Sequence, residues 1–431
     1  MVNAGKSPTA ITAARSGRGH AARPRASAAS GRLHAMLLVA AMLPSTVAWA
    51  ADVVTVDDGG VGQNASLAIG ADGLPLIAYR GGGNGALLVA RCTTANCSSA
   101  SVQGVADENG ALARGEGISL AVRVNGTPVM TWYDGSADDL SFARCPNADC
   151  SGDDILRALD DSADDTGRES SMVLDAAGLV HVAYVNTTDG AVRFIRCQQL
   201  PCNNPTARVI DDDPVNFLGA DIDLALNRDG KPIIAYTDST ADELLLAYCA
   251  TAECDGGILI TVVESNLTSV PGLGPSVAIG TDNSPVMVLR DGTNAALKVL
   301  ACSDPQCLAS PNQRLIDNDA TIDAGYYASI AIRPDGNPVI AYQYRPLGGA
   351  GGSGLRVAEC TTPTCTGPVR IVDVDFRPGE ITGANASIAI GADGGAVIAY
   401  YDTATTSLKF AKCNAQTCEG PGDRLFADGF D

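Results

Sequence analysis

The chain has 431 residues, with 49 acidic against 29 basic side chains, a formal net charge of −20, 14 cysteines and 3 histidines. That acidity excludes a nucleic-acid binder, whose affinity rests on cations meeting phosphate. An apolar fraction of 46% excludes disorder, because it is enough to build a core.

The first 50 residues carry Lys6, Arg15, Arg18, Arg23, Arg25 and Arg32 and no acid. The apolar run Met36-Leu37-Leu38-Val39-Ala40-Ala41-Met42-Leu43 follows, and then the small-residue site Ala48-Trp49-Ala50. This is the order of a secretory signal peptide, and the run is too short to span a bilayer. Residues 1–50 are therefore expected to be a cleaved leader and residues 51–431 the mature chain, with no transmembrane segment. Losing those six cations takes the 29 basic residues to 23 and the net charge to −26. It also leaves His181 as the one histidine.

The cysteines form seven C-x4-C pairs with none left over. They are Cys92 with Cys97, Cys145 with Cys150, Cys197 with Cys202, Cys249 with Cys254, Cys302 with Cys307, Cys360 with Cys365 and Cys413 with Cys418. Such regularity points to an internal repeat. Its copies begin Ser66-Leu67-Ala68-Ile69, Ser119-Leu120-Ala121-Val122, Ser171-Met172-Val173-Leu174, Asp223-Leu224-Ala225-Leu226, Ser276-Val277-Ala278-Ile279, Ser329-Ile330-Ala331-Ile332 and Ser387-Ile388-Ala389-Ile390. The starts lie 53, 52, 52, 53, 53 and 58 residues apart, the long interval reflecting a Gly-rich insertion between Leu347 and Gly354.

Each copy reads as four short strands. The first is the Ser-Leu-Ala-Ile run. Seven residues after its first position stands Gly73, Gly126, Gly178, Gly230, Asn283, Gly336 or Gly394, which suits a turn residue with positive φ. The second strand is apolar throughout, as in Leu76-Ile77-Ala78-Tyr79, so both its faces are expected to be covered. The third leads into the first cysteine and the fourth follows the second, as in Arg208-Val209-Ile210-Asp211. No segment has sustained helical periodicity. Four strands, a period near 50 and seven copies specify an all-β fold, a seven-bladed β-propeller with four-stranded blades. The blade cores fall at about 64–107, 117–161, 169–213, 221–265, 274–319, 327–375 and 385–426. Asp52-Val53-Val54-Thr55-Val56-Asp57 resembles a fourth strand standing before the first copy and is expected to close the ring. Asp423-Arg424-Leu425-Phe426 competes for that role.

A leader implies an oxidising compartment, and each cysteine pair brackets the turn between strands three and four. One local disulfide per blade is expected, contributing about 2 kcal/mol each in the chain-entropy model. Zinc is disfavoured, because two thiolates per blade and one histidine cannot supply four ligands.

His181 takes the place of Leu76, Val129, Ile233, Val286, Val339 and Val397 in the other copies, so it reads as a core residue rather than a catalytic base. No phosphate loop, HExxH or EF-hand pattern occurs. Tyr79, Trp132, Tyr184, Tyr236, Tyr342 and Tyr400 share one repeat position and are expected to pack between blades. The residues just beyond vary and lie towards one loop face. The ligand-binding candidates are therefore Arg80, Tyr133, Asp134, Asp238, Arg290, Asp291, Tyr344, Tyr401 and Asp402, aromatics beside carboxylates and arginines as a sugar or peptide site uses them. No catalytic or metal residue is assigned. No cofactor is expected, calcium being the one ion that clustered Asp would suit.

Ser387-Ile388-Ala389-Ile390, Ala399-Tyr400-Tyr401-Asp402 and Leu408-Lys409-Phe410-Ala411 resemble bacterial repeats of the sialidase-like (BNR-type) propeller group. The resemblance covers residues 52–426 and implies the fold and a bacterial source. It does not imply sialidase activity, because no repeat ends in the tryptophan of an Asp box and C-x4-C stands there instead. Seven-bladed bacterial lectins share the general look. The expected protein is a secreted monomer in the periplasm, at the cell surface or outside the cell. It would be a non-enzymatic module binding a glycan, a peptide or a surface protein. A glycoside hydrolase or lyase using Asp134, Asp238, Asp291 and Asp402 is the alternative, and a structural module of the cell envelope is a third.

Overall fold

The computed structural model describes residues 51–83, 85–105, 116–212, 218–265, 267, 274–348, 351–414 and 417–418. The expected leader at 1–50 and the segment Asp423–Phe426 lie outside these. Twenty-eight strands form seven four-stranded antiparallel sheets, and no helix occurs among the described residues. The protein is a seven-bladed β-propeller.

Six blades use four consecutive strands. Blade 1 is Gln63–Ile69, Pro75–Arg80, Leu87–Cys92 and Ala100–Gly104, from the innermost strand outwards. Blade 7 departs from this. Its inner three strands are Ala384–Ile390, Ala396–Asp402 and Ser407–Lys412, and its outer strand is Asp52–Asp57, in the register Val53↔Ala411. The N-terminal strand thus completes the last sheet.

The apolar residues pack between blades rather than within a central core. Each of the seven hydrophobic clusters joins two adjacent blades, and the last joins blade 7 to blade 1 through Val397, Leu408 and Phe410 against Ile77, Tyr79 and Ala90. This explains the unbroken apolarity of the second strands. Val180–Asn186 is buried at every position, His181 included. Fully burying one such aliphatic side chain contributes roughly 1.5–3 kcal/mol. The turn after each first strand holds its marker residue at positive φ, from 69° at Asn283 to 86° at Gly336.

Polar contacts repeat with the same seven-fold order. The side-chain oxygen that opens each repeat accepts the backbone N–H of the next residue of the repeat in the adjoining blade. Ser66 accepts from Leu120, Ser119 from Met172, Ser171 from Leu224, Asp223 from Val277, Ser276 from Ile330, Ser329 from Ile388 and Ser387 from Leu67. These N–H groups lie on innermost strands that join no strand of the next sheet, and the six serine hydroxyls and the Asp223 carboxylate satisfy them. Further out, a tyrosine hydroxyl on the second strand donates to an aspartate ending the fourth strand of the preceding sheet. The pairs are Tyr79–Asp57 at 2.5 Å, Tyr184–Asp160 at 2.6 Å, Tyr236–Asp211 at 2.7 Å, Tyr342–Asp317 at 2.8 Å and Tyr400–Asp375 at 2.9 Å. Burial, reinforced by the adjacent carboxylate, raises all five phenol pKa values.

All 14 cysteines are in local disulfides, one to a blade, and none is free. Cys92 bonds Cys97, Cys145 bonds Cys150, Cys197 bonds Cys202 and Cys249 bonds Cys254. Cys302 bonds Cys307, Cys360 bonds Cys365 and Cys413 bonds Cys418. The expected pairing therefore holds in every blade. The second cysteine has positive φ in six of them, between 50° at Cys254 and 60° at Cys202, with Cys97, Cys150, Cys307 and Cys365 in between. The left-handed turn that brings the two sulfurs together is therefore made by the cysteine itself.

Candidate functional site

The innermost strands of the seven blades surround an axial cavity of about 570 Å³ at the end where they begin. A local irregularity in strand pairing shapes its wall. In six blades the register shifts just before the repeat's opening residue, as between Gln63 and Ser66 or between Tyr326 and Ser329. A bulge of this kind re-aims the side chain that precedes it. The residues two positions before the opening Ser or Asp all line the cavity: Asn64, Gly117, Glu169, Asp221, Gly274, Tyr327 and Asn385. Gly274 has a steric reason, since a Cβ there would lie 1.8 Å from Cβ of Asp221.

The ring is chemically lopsided. Glu169, Asp221 and Asp223 lie on blades 3 and 4, while Tyr326, Tyr327 and Arg345 lie on blade 6. Asp223 takes two hydroxyl and two backbone N–H bonds, from Ser171, Ser276, Leu224 and Val277. Burial raises its pKa, and those donors oppose the shift without cancelling it.

Aromatic and cationic side chains gather on blade 6 and the adjoining end of blade 5. Arg290 holds Asp323 by two parallel bonds of 2.8 and 2.9 Å, and Tyr326 donates to the same carboxylate at 2.7 Å. Burial acts to raise the Asp323 pKa, but the bonds from Arg290 and Tyr326 prevail and lower it. The Tyr326 ring is stacked between two guanidinium groups, Arg290 at 4.6 Å and Arg345 at 3.9 Å from its centroid. Arg290 is neutralised by Asp323. Arg345 is exposed and has no ion-pair partner within 4.0 Å among the described residues; its one hydrogen bond is to Gln343 at 3.3 Å. Tyr327 is half-exposed and sits at φ 50°. Asn64 at 52°, Gly117 at 60° and Asn385 at 51° share this left-handed backbone at the same repeat position, so it belongs to the bulge, and it costs a bulky residue roughly 1–2 kcal/mol.

The nine residues anticipated from sequence stand apart from the cavity wall, except that Arg290 stacks on Tyr326. They end the second strands, at the same end of the blades as the cavity, since Gln63 pairs with Arg80, Ala384 with Tyr401 and Ala324 with Tyr344. None is among the residues that line it. Asp134, Asp238, Asp291 and Asp402 each accept backbone N–H bonds from the turn that follows, as Asp238 does from Thr240 and Ala241 at 2.8 Å. Asp402 is fully buried and ion-paired with Arg377; burial raises its pKa, but that pairing outweighs burial and lowers it. Arg80 bonds Gln63, Tyr133 donates to Asp138, Tyr344 packs beneath Arg356, and Tyr401 is 8% exposed. Asn64, Glu169, Asp221, Asp223, Arg345 and Asn385 line the cavity and are not among the nine. The available signal was the variable position two residues before each repeat opening. Among the described residues, no group of three or more His, Cys, Asp or Glu is placed to hold a metal ion.

No family model matches the chain, and no curated protein does. Solved structures share its fold. The BP39L lectin of Burkholderia pseudomallei aligns over 83% of this chain and 97% of its own at 14% identity, with a TM-score of 0.54. The β-propeller domain of Cps50 (Swd1) from Myceliophteria thermophila aligns over 83% and 99% at 9% identity, with a TM-score of 0.51. At such identities the likeness is one of fold.

Proposed function

We propose that this protein is a non-enzymatic binding module that takes a saccharide in its axial cavity. The observation that carries this reading is that blade 6 places at the cavity wall both Tyr327, an aromatic residue in left-handed backbone, and Arg345, an exposed guanidinium stacked on Tyr326 with no ion-pair partner within 4.0 Å among the described residues. Aromatic faces and convergent polar groups are how a concave site recognises a sugar. Glu169, Asp221 and the asparagines at 64 and 385 would supply acceptors and donors for hydroxyl groups. The lectin from Burkholderia pseudomallei supports the reading to the extent that its fold serves a lectin.

A carboxylate-dependent glycosidase finds less support, because Asp238, Asp291 and Asp402 are buried and committed to turns. The seven disulfides support a site of action in an oxidising compartment outside the cytoplasm. A glycan array probed with the chain and with its Arg345→Ala variant tests the proposal. Selective binding that the substitution weakens is the expected result. No retained glycan, together with hydrolysis of one, would overturn it.

A further inference from the structure

At the opposite end of the blades, the third strands of blades 1, 3, 6 and 7 carry near their ends a charged side chain paired with the turn between strands one and two, while blades 4 and 5 have the uncharged Tyr248 and Ala301 there. In blade 3 that residue is Arg196. It pairs with Asp175 of its own blade at 2.9 Å and with Glu253 in the disulfide hairpin of blade 4. In blade 1 it is Arg91, paired with Asp72 and close enough to Asp149 of the blade 2 hairpin to help lower that carboxyl's pKa, after the bonds from Ser151. In blade 6 the polarity is reversed: Glu359 holds Arg333 and Arg370. In blade 7, Lys412 holds Asp393. All four positions are neutralised.

Blade 2 breaks the pattern. Its third strand ends in Arg144, in the register Val129↔Arg144 that matches His181↔Arg196 and Val339↔Glu359. The three acid positions that serve the other blades are all vacated. Where blade 3 has Asp175, blade 2 has a second cation, Arg123. Where blade 1 has Asp72 it has Asn125, whose side chain caps Thr127. Where Glu253 and Asp149 reach in from the next blade's hairpin stands Pro201. Arg123 and Arg144 are both half-buried, neither has an ion pair among the described residues, and Nε of Arg123 is buried without a hydrogen-bond partner. Two guanidiniums occupy the two positions that in blades 3 and 6 hold one cation and one anion in an ion pair.

We infer that Arg123 and Arg144 form a binding site for a tetrahedral oxyanion, a sulfate or phosphate group, which takes the place of the missing carboxylate. Two guanidinium forks match the oxygens of such a group, and an ion between them relieves the like-charge repulsion. The site is separate from the axial cavity and does not depend on what binds there.

Calorimetry and thermal unfolding with inorganic sulfate and inorganic phosphate, against chloride at matched ionic strength, test it. The native chain is expected to bind either oxyanion and to gain Tm beyond the chloride control. Arg144→Gln should weaken binding about ten-fold, the loss of one charge-assisted bond. Arg144→Glu, which copies blade 6, should raise Tm without added anion and abolish the sulfate and phosphate increments. Arg123→Asp, which copies blade 3, should do the same and serves if Arg144→Glu folds poorly. A sulfated oligosaccharide that binds more tightly than free sulfate would identify an ester as the source, and equal affinity a free ion. An undiminished increment in both charge-reversal variants, or none in the native chain with either anion, would overturn the inference.

Discussion

Ser387 Oγ accepts the backbone N–H of Leu67 at 3.0 Å, joining residues 320 positions apart in the chain. It is the same bond that Ser66 makes with Leu120 between consecutive blades. The seven-fold set of inner bonds therefore closes on itself. Blade 7 meets blade 1 through the contact that joins every other pair, and no interface is left as a seam. Ser387→Ala leaves the Leu67 N–H without its side-chain acceptor. The expected cost is about 1 kcal/mol, the same as for Ser119→Ala within the sequence-local part of the ring. Urea unfolding of the two variants checks this; a far larger loss at Ser387 would show that closure is weaker than the other joints.

The outer Tyr–Asp bonds covary with their neighbours in a way that gives a second test. The two blades without the tyrosine carry Trp132 and Leu289, and Ala106 and Glu264 stand in the preceding copies where the aspartate would be. Glu264 is taken by Lys298 at 3.0 Å. Tyr342→Phe removes one of the donors to the buried Asp317 and should destabilise by about 1–3 kcal/mol, Arg356 holding the rest of the charge. Tyr342→Phe combined with Asp317→Leu should recover part of that loss, measured as a double-mutant cycle.

The disulfide hairpins each close a loop of a few residues, and the chain-entropy model assigns about 2 kcal/mol to each. Replacing Cys302 and Cys307 by alanine should lower stability by that order. Cys307 has φ 53°, so Cys302→Ala with Cys307→Gly should lose about 1 kcal/mol less than the double alanine variant. Denaturant midpoints of the three proteins decide it, and equal losses for the two variants would contradict the left-handed assignment.

Asp139 gives the pH dependence. Burial, with the neighbouring Asp161, Asp134, Asp160 and Asp138, pushes its pKa up to about 6 from the ordinary 3.8. The folded chain favours the neutral form, so nothing is lost below about pH 3.8. The penalty grows as the unfolded chain ionises first and is complete above pH 6. Asp139→Asn should therefore raise Tm at pH 7.5 and leave it unchanged near pH 3.5. An equal rise at both values would assign the effect to something other than ionisation.

The fold was legible because each blade repeats one residue for one duty: a glycine or asparagine where φ must be positive, a cysteine pair across the outer hairpin, an apolar second strand between two neighbours. The site was harder to read. Ser66 marks a strand start in sequence, but its bonding partner lies 54 residues away, and only the ring makes it an inter-blade acceptor. The cavity residues precede that serine by two positions and differ from each copy to the next along the chain, so they resemble loop variation until the bulge aims them inwards. Asp238 and Asp402 drew attention as polar residues after an apolar strand. That position equally serves a turn, whose N–H groups need an acceptor, and sequence does not separate the two roles.

The central proposal is that Tyr327 and Arg345 hold a saccharide in the axial cavity. Calorimetric titration of the tightest array glycan into the native chain, Tyr327→Ala, Arg345→Ala and the control Asp134→Asn tests it most directly. The first two substitutions should each weaken binding about ten-fold or more, the loss of one stacking face or one charge-assisted bond, while the control binds as the native chain does. Unchanged affinity in Tyr327→Ala and Arg345→Ala, with loss in Asp134→Asn, would contradict the assignment and return the site to the ends of the second strands.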